Sequence, residues 1–398
     1  MFLSMFAVVS SVSAQVVPDA NNFTISVDAG AEYSDNRDAS ETDKESNFDL
    51  YVRPTIGLML QPQGGLMIDF YYAPYLRYRT NPSIIQNDSD LFHDLGVVLN
   101  YELLDKLDLL VDEHFNYTDD PAVSKTGTII RRDSSFKAND LSGRMLYEIS
   151  KKSNVELNAR SYMKMYDESE VAKQSDEDNM KFGAAYWFSL YKYLGAVVLA
   201  DVSDYNYSDQ TSFDRSMTAT SAGVGFEAFV NKNLRGGLRV GMQELEYASD
   251  LMEGDNSPFV SLGVVSQDSR KNRLSGSVVF QTRNADVYPY ASQEAVDFNL
   301  KWELQPTEIF SLGLIGQYHL GQYSADKIPV GYEINQYFID TGYPRGGDEK
   351  VLMAGVELAY HLKNKMKMSI MPRIEKVDSD VSTSYDRNSI NVFVSKPF

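Results

Sequence analysis

On either side of Asp105-Lys106 the chain alternates apolar and polar residues with a period of two. Leu95, Val97, Leu99, Tyr101 and Leu103 share one phase, and Asp94, Gly96, Asn100 and Glu102 the other. Past the break, Leu107, Leu109, Val111, Phe115 and Tyr117 resume against Asp108, Asp112, His114 and Asn116. A helix would repeat its apolar positions every three to four residues, so this period marks two strands, and a two-residue polar break between them is a hairpin turn. The segment "YELLDKLDLLVD" is therefore strand, turn and strand, although its leucines and charges imitate an amphipathic helix. Glu113 falls on the apolar phase, which points to a bulge or a slip of phase at that position.

The same grammar runs along the chain. Phe48, Leu50, Val52, Ile56, Leu58 and Leu60 alternate with Asp49, Tyr51, Arg53, Thr55 and Gly57; after "PQGG", Leu66, Ile68, Phe70, Tyr72, Leu76 and Tyr78 alternate with Asp69, Ala73 and Arg77. Short breaks lie at 62–65, 105–106, 151–154, 191–193, 231–233, 269–272, 305–308 and 363–365. Longer, mostly acidic loops lie at 34–46, 79–88, 118–133, 167–178, 208–214, 248–256, 284–292, 323–347 and 378–386. Eight short turns and nine long loops join eighteen strands, an even number that puts both termini on the short-turn side. No apolar run approaches the ~18 residues of a membrane-spanning helix. A soluble propeller or sandwich also has many evenly spaced strands. Neither gives loop lengths a reason to alternate, and the polar phase carries too many charges to lie beneath a second layer. The expected fold is all-β: a transmembrane antiparallel up-and-down β-barrel of about 18 strands, with short periplasmic turns and long extracellular loops, in a bacterial outer membrane.

Composition agrees with this. Twenty-six Tyr and twenty Phe against two Trp is an aromatic load suited to strands and to water-lipid boundaries. The absence of Cys excludes disulfides, thiolate metal sites and cysteine nucleophiles. A net charge of -19 excludes the basic surface that nucleic-acid binding requires. "MFLSMFAVVSSVSAQ" has an apolar run and then small residues, so residues 1–14 are expected to be a signal peptide. It lacks the usual basic residue before the apolar run. A short segment, 15–22, leads into a single barrel domain over 23–398. The last strand, "SINVFVSKPF", ends in Phe398, which resembles the signal read by the barrel assembly machinery; Lys396 departs from that pattern.

The start of the barrel resembles the β-barrel porin 2 family of Gram-negative outer membranes. The residues that carry the likeness are Tyr33-Ser34-Asp35-Asn36 after the first strand, Pro54-Thr55-Ile56-Gly57-Leu58, and the tyrosine-rich stretch from Tyr71 to Tyr78. It covers roughly residues 23 to 120; beyond that the likeness is one of architecture. The resemblance implies an outer-membrane channel, with glycan passage suggested by the company such proteins keep with exopolysaccharide synthesis. It implies no catalytic residues and no cofactor.

An eighteen-stranded barrel is wide enough for an aqueous channel. The inward phase supplies pore-lining candidates: Asp49, Arg53, Asp69, Arg77, Asp108, Asp112, Arg160, Lys164, Arg235, Arg239 and Arg373, with Glu102, Glu156, Lys301, Glu357, Lys367 and Glu375 beside them. Two readings are open for this mixed wall, a solvated surface of cross-strand ion pairs and a selectivity ring, which needs like charges at one height. Arg235 and Arg239, near Gly236, Gly237 and Gly241, form a candidate basic patch for an anionic solute; pairing with neighbouring carboxylates is the alternative. The loop from Tyr323 to Gly347 is too apolar to be simply solvated. Tyr332, Tyr337, Phe338, Tyr343 and Arg345 are its constriction candidates, against self-packing over the rim. The acidic loops could hold divalent cations that bridge lipopolysaccharide, or be no more than solvated surface. No Ser-His pair forms a nucleophile site around His93, His114, His319 or His361, so the chain reads as a non-enzyme. The expected function is a porin-like channel for passive diffusion of small hydrophilic solutes or saccharides. Its expected partners are outer-membrane lipid and lipopolysaccharide. The alternatives are an exopolysaccharide export component working with periplasmic proteins and a closed structural or adhesive barrel.

Overall fold

The computed structural model describes residues 22–62, 65–82, 87–118, 135–207, 214–231, 233–249, 252–269, 272–285, 287–328 and 338–398. The expected leader, 1–14, lies outside them. The alternating stretches form β1 (Asn22–Ser34), β2 (Asn47–Leu60), β3 (Leu66–Tyr72 and Tyr75–Arg79), β4 (Ser89–Leu104), β5 (Leu107–Thr118) and β6 (Phe136–Ser150). They continue as β7 (Ser153–Tyr166), β8 (Glu177–Tyr191), β9 (Leu194–Tyr207), β10 (Met217–Phe229), β11 (Leu234–Tyr247) and β12 (Asp255–Ser269). The last six are β13 (Asn272–Asn284), β14 (Ser292–Leu304), β15 (Phe310–Tyr323), β16 (Gly347–His361), β17 (Lys367–Ser379) and β18 (Tyr385–Pro397). A short helix, α1 (Ser169–Ser175), interrupts the loop between β7 and β8.

Every strand pairs antiparallel with its neighbours in sequence, and β1 pairs with β18 from Ser26↔Pro397 to Ser34↔Ser389, which closes the sheet. Closure removes both edges, so the ladder satisfies the backbone without water. β3 is broken between Tyr72 and Tyr75 because Pro74 has no N–H to give to the ladder; Ala73 beside it still donates to the Asp94 carbonyl at 2.8 Å. The Asp105-Lys106 turn is the expected two-residue hairpin, with a register shift between Glu102 and Leu104. No shift occurs at Glu113. It pairs in phase with Val97 and Leu141, so the irregularity sits at the turn and the carboxylate stays on the outward face.

The outward phase is apolar and uncovered, as at Leu50, Val52, Leu76, Phe182, Val198, Phe226, Leu262, Leu300 and Val392. Leaving such side chains in water forgoes roughly 1.5–3 kcal/mol apiece, whereas hydrocarbon accepts them. Tyr33, Phe48 and Tyr78 stand near the long-loop end of this face, and Tyr147, Tyr191, Phe310 and Tyr360 near the short-turn end, as rims of an apolar belt. No helix among the described residues is long and apolar enough to span a bilayer; the strands span it. A closed antiparallel barrel with this belt places the protein in the bacterial outer membrane, long loops outside.

The wall departs from a simple cylinder at β12 and β13. Their ladder runs from Ser269↔Asn272 up to Val260↔Phe280 and stops there. Above it, β12 continues on β11 as far as Asp255↔Leu245, and β13 continues on β14 through Gln281↔Ala295 to Asn284↔Ser292. The tip of the β13–β14 hairpin has therefore left the wall.

Candidate functional site: the lumen and its inward hairpin

The detached tip enters the lumen. Thr282, Arg283, Asn284, Ala285, Val287, Tyr290, Ala291, Ser292 and Gln293 are all buried; Arg283 pairs with Asp297 of neighbouring β14 at 3.2 Å, and several of the others meet inward side chains from β8, β9 and β11, which are not neighbours of β13 in the sheet. Asn284 Nδ2 donates to Glu177 Oε2 of β8 at 3.2 Å and to the Tyr207 hydroxyl of β9 at 3.3 Å. Tyr207 in turn donates to the Ala285 carbonyl at 2.6 Å. Gln243 Nε2 of β11 donates to the Thr282 carbonyl at 2.6 Å, close to where the β12 ladder has ended. Arg215, just before β10, donates from Nη1 to the Tyr290 carbonyl at 3.1 Å, and its guanidinium lies 3.9 Å from the centre of the Tyr207 ring. Between the tip and the β7–β9 wall lies a small cavity of about 30 Å³, lined by Arg160, Tyr162, Lys181, Tyr205, Gln281 and Arg283 among others. The hairpin occupies that sector of the extracellular half.

The long loop packs on the tip from above. Ile328 and Phe338 join Ala285, Val287, Tyr290, Tyr323 and Val381 in one apolar cluster, against which Tyr343 rests. Tyr290 and Tyr323 rings stand 4.9 Å apart, and Phe338 meets Tyr290 edge-on at 6.5 Å. Arg345 lies 5.2 Å over the Phe338 ring, and the Tyr343 hydroxyl is 3.3 Å from Thr383 Oγ1 in the next loop. Tyr332 and Tyr337 lie outside the described residues. After β15, in the turn Ala325–Lys327, the Ser324 hydroxyl donates to Asp326 and holds that carboxyl below the usual carboxylate range. Lys327 reaches Asp255 at 3.5 Å, covering the start of β12.

All eleven pore-lining candidates fall on the inward phase, opposite the exposed apolar residues of the same strands. They sit at several heights. Near the extracellular end Arg77 pairs with Asp49 at 2.5 Å and Lys164 with Glu177 at 2.8 Å, and nearer mid-barrel Arg373 stands 3.8 Å from Glu375, which also holds Arg387 at 2.8 Å. Arg160 grips Asp140 with two bonds of 2.5 and 2.7 Å, and Arg53 meets Asp28 at 3.2 Å. Toward the periplasm, Asp108 faces Glu102 across the β4–β5 ladder and Lys367 pairs with Glu357 at 2.5 Å. Asp112 lies between Val98 and Ser142, and Asp69 opposite Met59 and Val98. Arg239 lies 5.3 Å over the Trp187 ring with the charges of Glu227 and Glu156 beside it; Arg235 is close to the same Glu227. Cross-strand pairing of opposite charges dominates this wall.

Sequence reasoning treated 284–292 as an ordinary external loop and missed the hairpin. One signal was available: "ADVYPYA" is as apolar for a loop as the longer segment that did attract notice.

No protein-family model matches the chain, and no curated protein matches its sequence. Solved structures to which it is similar include the outer membrane protein OprD from Pseudomonas aeruginosa, at 10% identity and a TM-score of 0.46 over 94% of each chain. Another is OccK7 (OpdD) from the same organism, at 9% identity and a TM-score of 0.49, covering 96% of this chain and 99% of that one. A third is OccAB3 from Acinetobacter baumannii, at 11% identity and 0.46, covering 95% and 100%.

Proposed function

We propose that the protein is an outer-membrane channel through which small hydrophilic solutes diffuse passively, and that the β13–β14 hairpin tip sets its narrowest section. The observation that carries this reading is a closed barrel whose inward phase carries many charged and hydroxylated side chains beside the apolar clusters around Phe259 and Leu245, with a packed, side-chain-anchored hairpin across one sector. The proposed passage runs along β16–β18 and β1–β6. There Asp28, Arg53, Asp69, Asp94, Asp112 and His114 line the middle of the wall. The pore-lining role of Asp49, Arg77, Asp108, Arg160, Lys164 and Arg373 belongs to the same proposal, as does the part played by Phe338, Tyr343 and Arg345, which brace the hairpin from outside. Small saccharides are within this solute class, and the likeness over residues 23 to 120 favours them. Single-channel recording in a planar bilayer tests the reading. The refolded protein is expected to conduct alone in steady steps that grow when residues 285–291 are replaced by a short Gly-Ser turn. Silence from a folded, heat-modifiable barrel, with and without the tip, refutes it and leaves a closed barrel or a partner-dependent exporter.

A further inference from the structure

The outer wall carries an apolar groove of about 730 Å³ across β10 to β16. Its floor follows one register line, Gly236↔Val264↔Gly276↔Leu300↔Gly316↔Ala354, so that a glycine occupies every second strand. The line two residues further toward the cell exterior, Leu262↔Val278↔Phe298↔Tyr318, forms a tall ridge above it. The line below it includes Leu274↔Trp302↔Leu314.

The barrel's own packing does not demand these glycines. A Cβ at Gly236 would come no nearer than 3.5 Å to another atom, at Gly276 3.6 Å, and at Gly316 3.9 Å, all ordinary contacts. Some lumen-facing glycines differ, since a Cβ at Gly96 would run into the Tyr71 ring and one at Gly241 into the Ala222 carbonyl, whereas Gly195 and Gly355 have as much room as the groove glycines. Glycine in a strand interior that the fold could fill marks a place where something else comes close.

We infer that the groove seats an acyl chain of a phospholipid from the periplasmic leaflet. The groove is continuous with the lipid-facing belt, so hydrocarbon is the medium that reaches it. It starts beside the β10–β11 turn, where Gly236 is the third residue of β11, and climbs to mid-barrel, where Ala354 is the eighth residue from the periplasmic end of β16. At about 4.8 Å per strand the floor is ~24 Å long, and strand tilt carries it obliquely upward. It therefore spans the depth of the inner-facing leaflet. At its lower border the Trp302 indole donates to Asn272 Oδ1 at 3.0 Å, the arrangement of a tryptophan at the headgroup level. A second copy of the chain would have to seat its own ridge, Leu262 to Tyr318, in this hollow, and it would show as a dimer mass in native mass spectrometry.

Native mass spectrometry in detergent with added 1-palmitoyl-2-oleoyl-phosphatidylethanolamine tests the assignment, comparing wild type with G276L/G316L. The wild type is expected to retain one phospholipid per chain, and the filled variant at least tenfold less, with single-channel conductance unchanged because neither residue faces the lumen. Equal retention by both, no retention by the wild type, or a dimer or trimer mass that the filled variant loses would each overturn it. Should the leucines prevent folding, as judged by heat-modifiability, G276A/G316A fits without contact strain and must still lower retention measurably.

Discussion

Arg215→Ala is the sharpest single test of the hairpin as the constriction. Arg215 is buried and belongs to no strand, yet it binds the tip twice, through the Tyr290 carbonyl at 3.1 Å and by stacking between the Tyr207 and Tyr288 rings at 3.9 and 5.3 Å. A hydrogen bond from a charged donor contributes roughly 1.5–3 kcal/mol, and a desolvated cation–π contact about 2 kcal/mol. Their loss weakens the anchoring by ~4 kcal/mol, near three powers of ten in the ratio of docked to undocked tip. Asn284, Tyr207 and Gln243 keep their own bonds, so the tip should remain attached for part of the time. Single-channel traces of the variant are expected to show frequent excursions to a higher conductance level that the wild type visits rarely, and liposome-swelling rates for small sugars should rise. Hydrogen exchange at residues 282–293 supplies the control. If exchange there accelerates while conductance and swelling match the wild type, the tip moves but does not limit passage, and the reasoning fails.

Three further outcomes follow from the geometry. Lys164 and Glu177 are both nearly fully buried and 2.8 Å apart, so Lys164→Met alone should cost about 3–5 kcal/mol in urea unfolding from vesicles, while K164M/E177L should recover most of it; equal losses in the two variants would mean the pair is not coupled. Glu113 stands in phase with Val97 and Leu141 on the lipid face, and Glu113→Leu should stabilise the barrel by roughly 1–2 kcal/mol; destabilisation would reveal a partner for that carboxylate. Along the proposed passage Asp28, Asp69, Asp94 and Asp112 outnumber Arg53 and Arg373 at mid-wall, with His114 bonded to Asp94 at 2.9 Å. Reversal potentials in a KCl gradient should show cation preference that D94N/D112N reduces, and anion preference in the wild type would place the passage elsewhere.

The period-two pattern made the strands, their number and their facing legible, because in a barrel each side chain has only two choices and the bilayer enforces one of them. The same logic assigned the charges to the opposite phase. Their heights escaped it, since register is set by ladder partners that only the fold brings together, as Arg77 with Asp49 and Arg387 with Glu375. Glu113 shows the opposite failure: a polar residue on the apolar phase suggested a bulge, yet the ladder on both sides holds register and leaves the charge where the pattern disfavours it. The hairpin escaped because its residues read as one more loop, and its anchors, Glu177, Tyr207, Arg215 and Gln243, are scattered over four neighbouring segments of chain.

The departure of the hairpin from the wall has a physical limit that explains where it occurs. A ladder can be opened only where water or side chains replace the lost partners, which excludes the hydrocarbon zone. The last pair, Val260↔Phe280, still carries apolar outward residues, whereas the outward positions above it are Asn256, Pro258, Thr282 and Glu294. Pro258 has no N–H to offer and falls in the stretch of β12 that is paired on one side only, the setting in which a sheet tolerates proline. On the other strand Gln243 takes up the Thr282 carbonyl. A strand end thus leaves the wall at the edge of the lipid belt, whereas the deeper interruptions, at Ala73-Pro74 and at Pro372, are local gaps at a proline that the ladder resumes beyond, so the tip can reach into the lumen while the barrel stays closed through the membrane. A substitution that carried the apolar face one pair higher, such as Thr282→Val with Pro258→Val, should favour re-zipping of β12 on β13 and draw the tip out of the lumen. Conductance would then rise without any loss of barrel stability, and a fall in either quantity would show that the break is set by the tip's own contacts instead of by the edge of the bilayer.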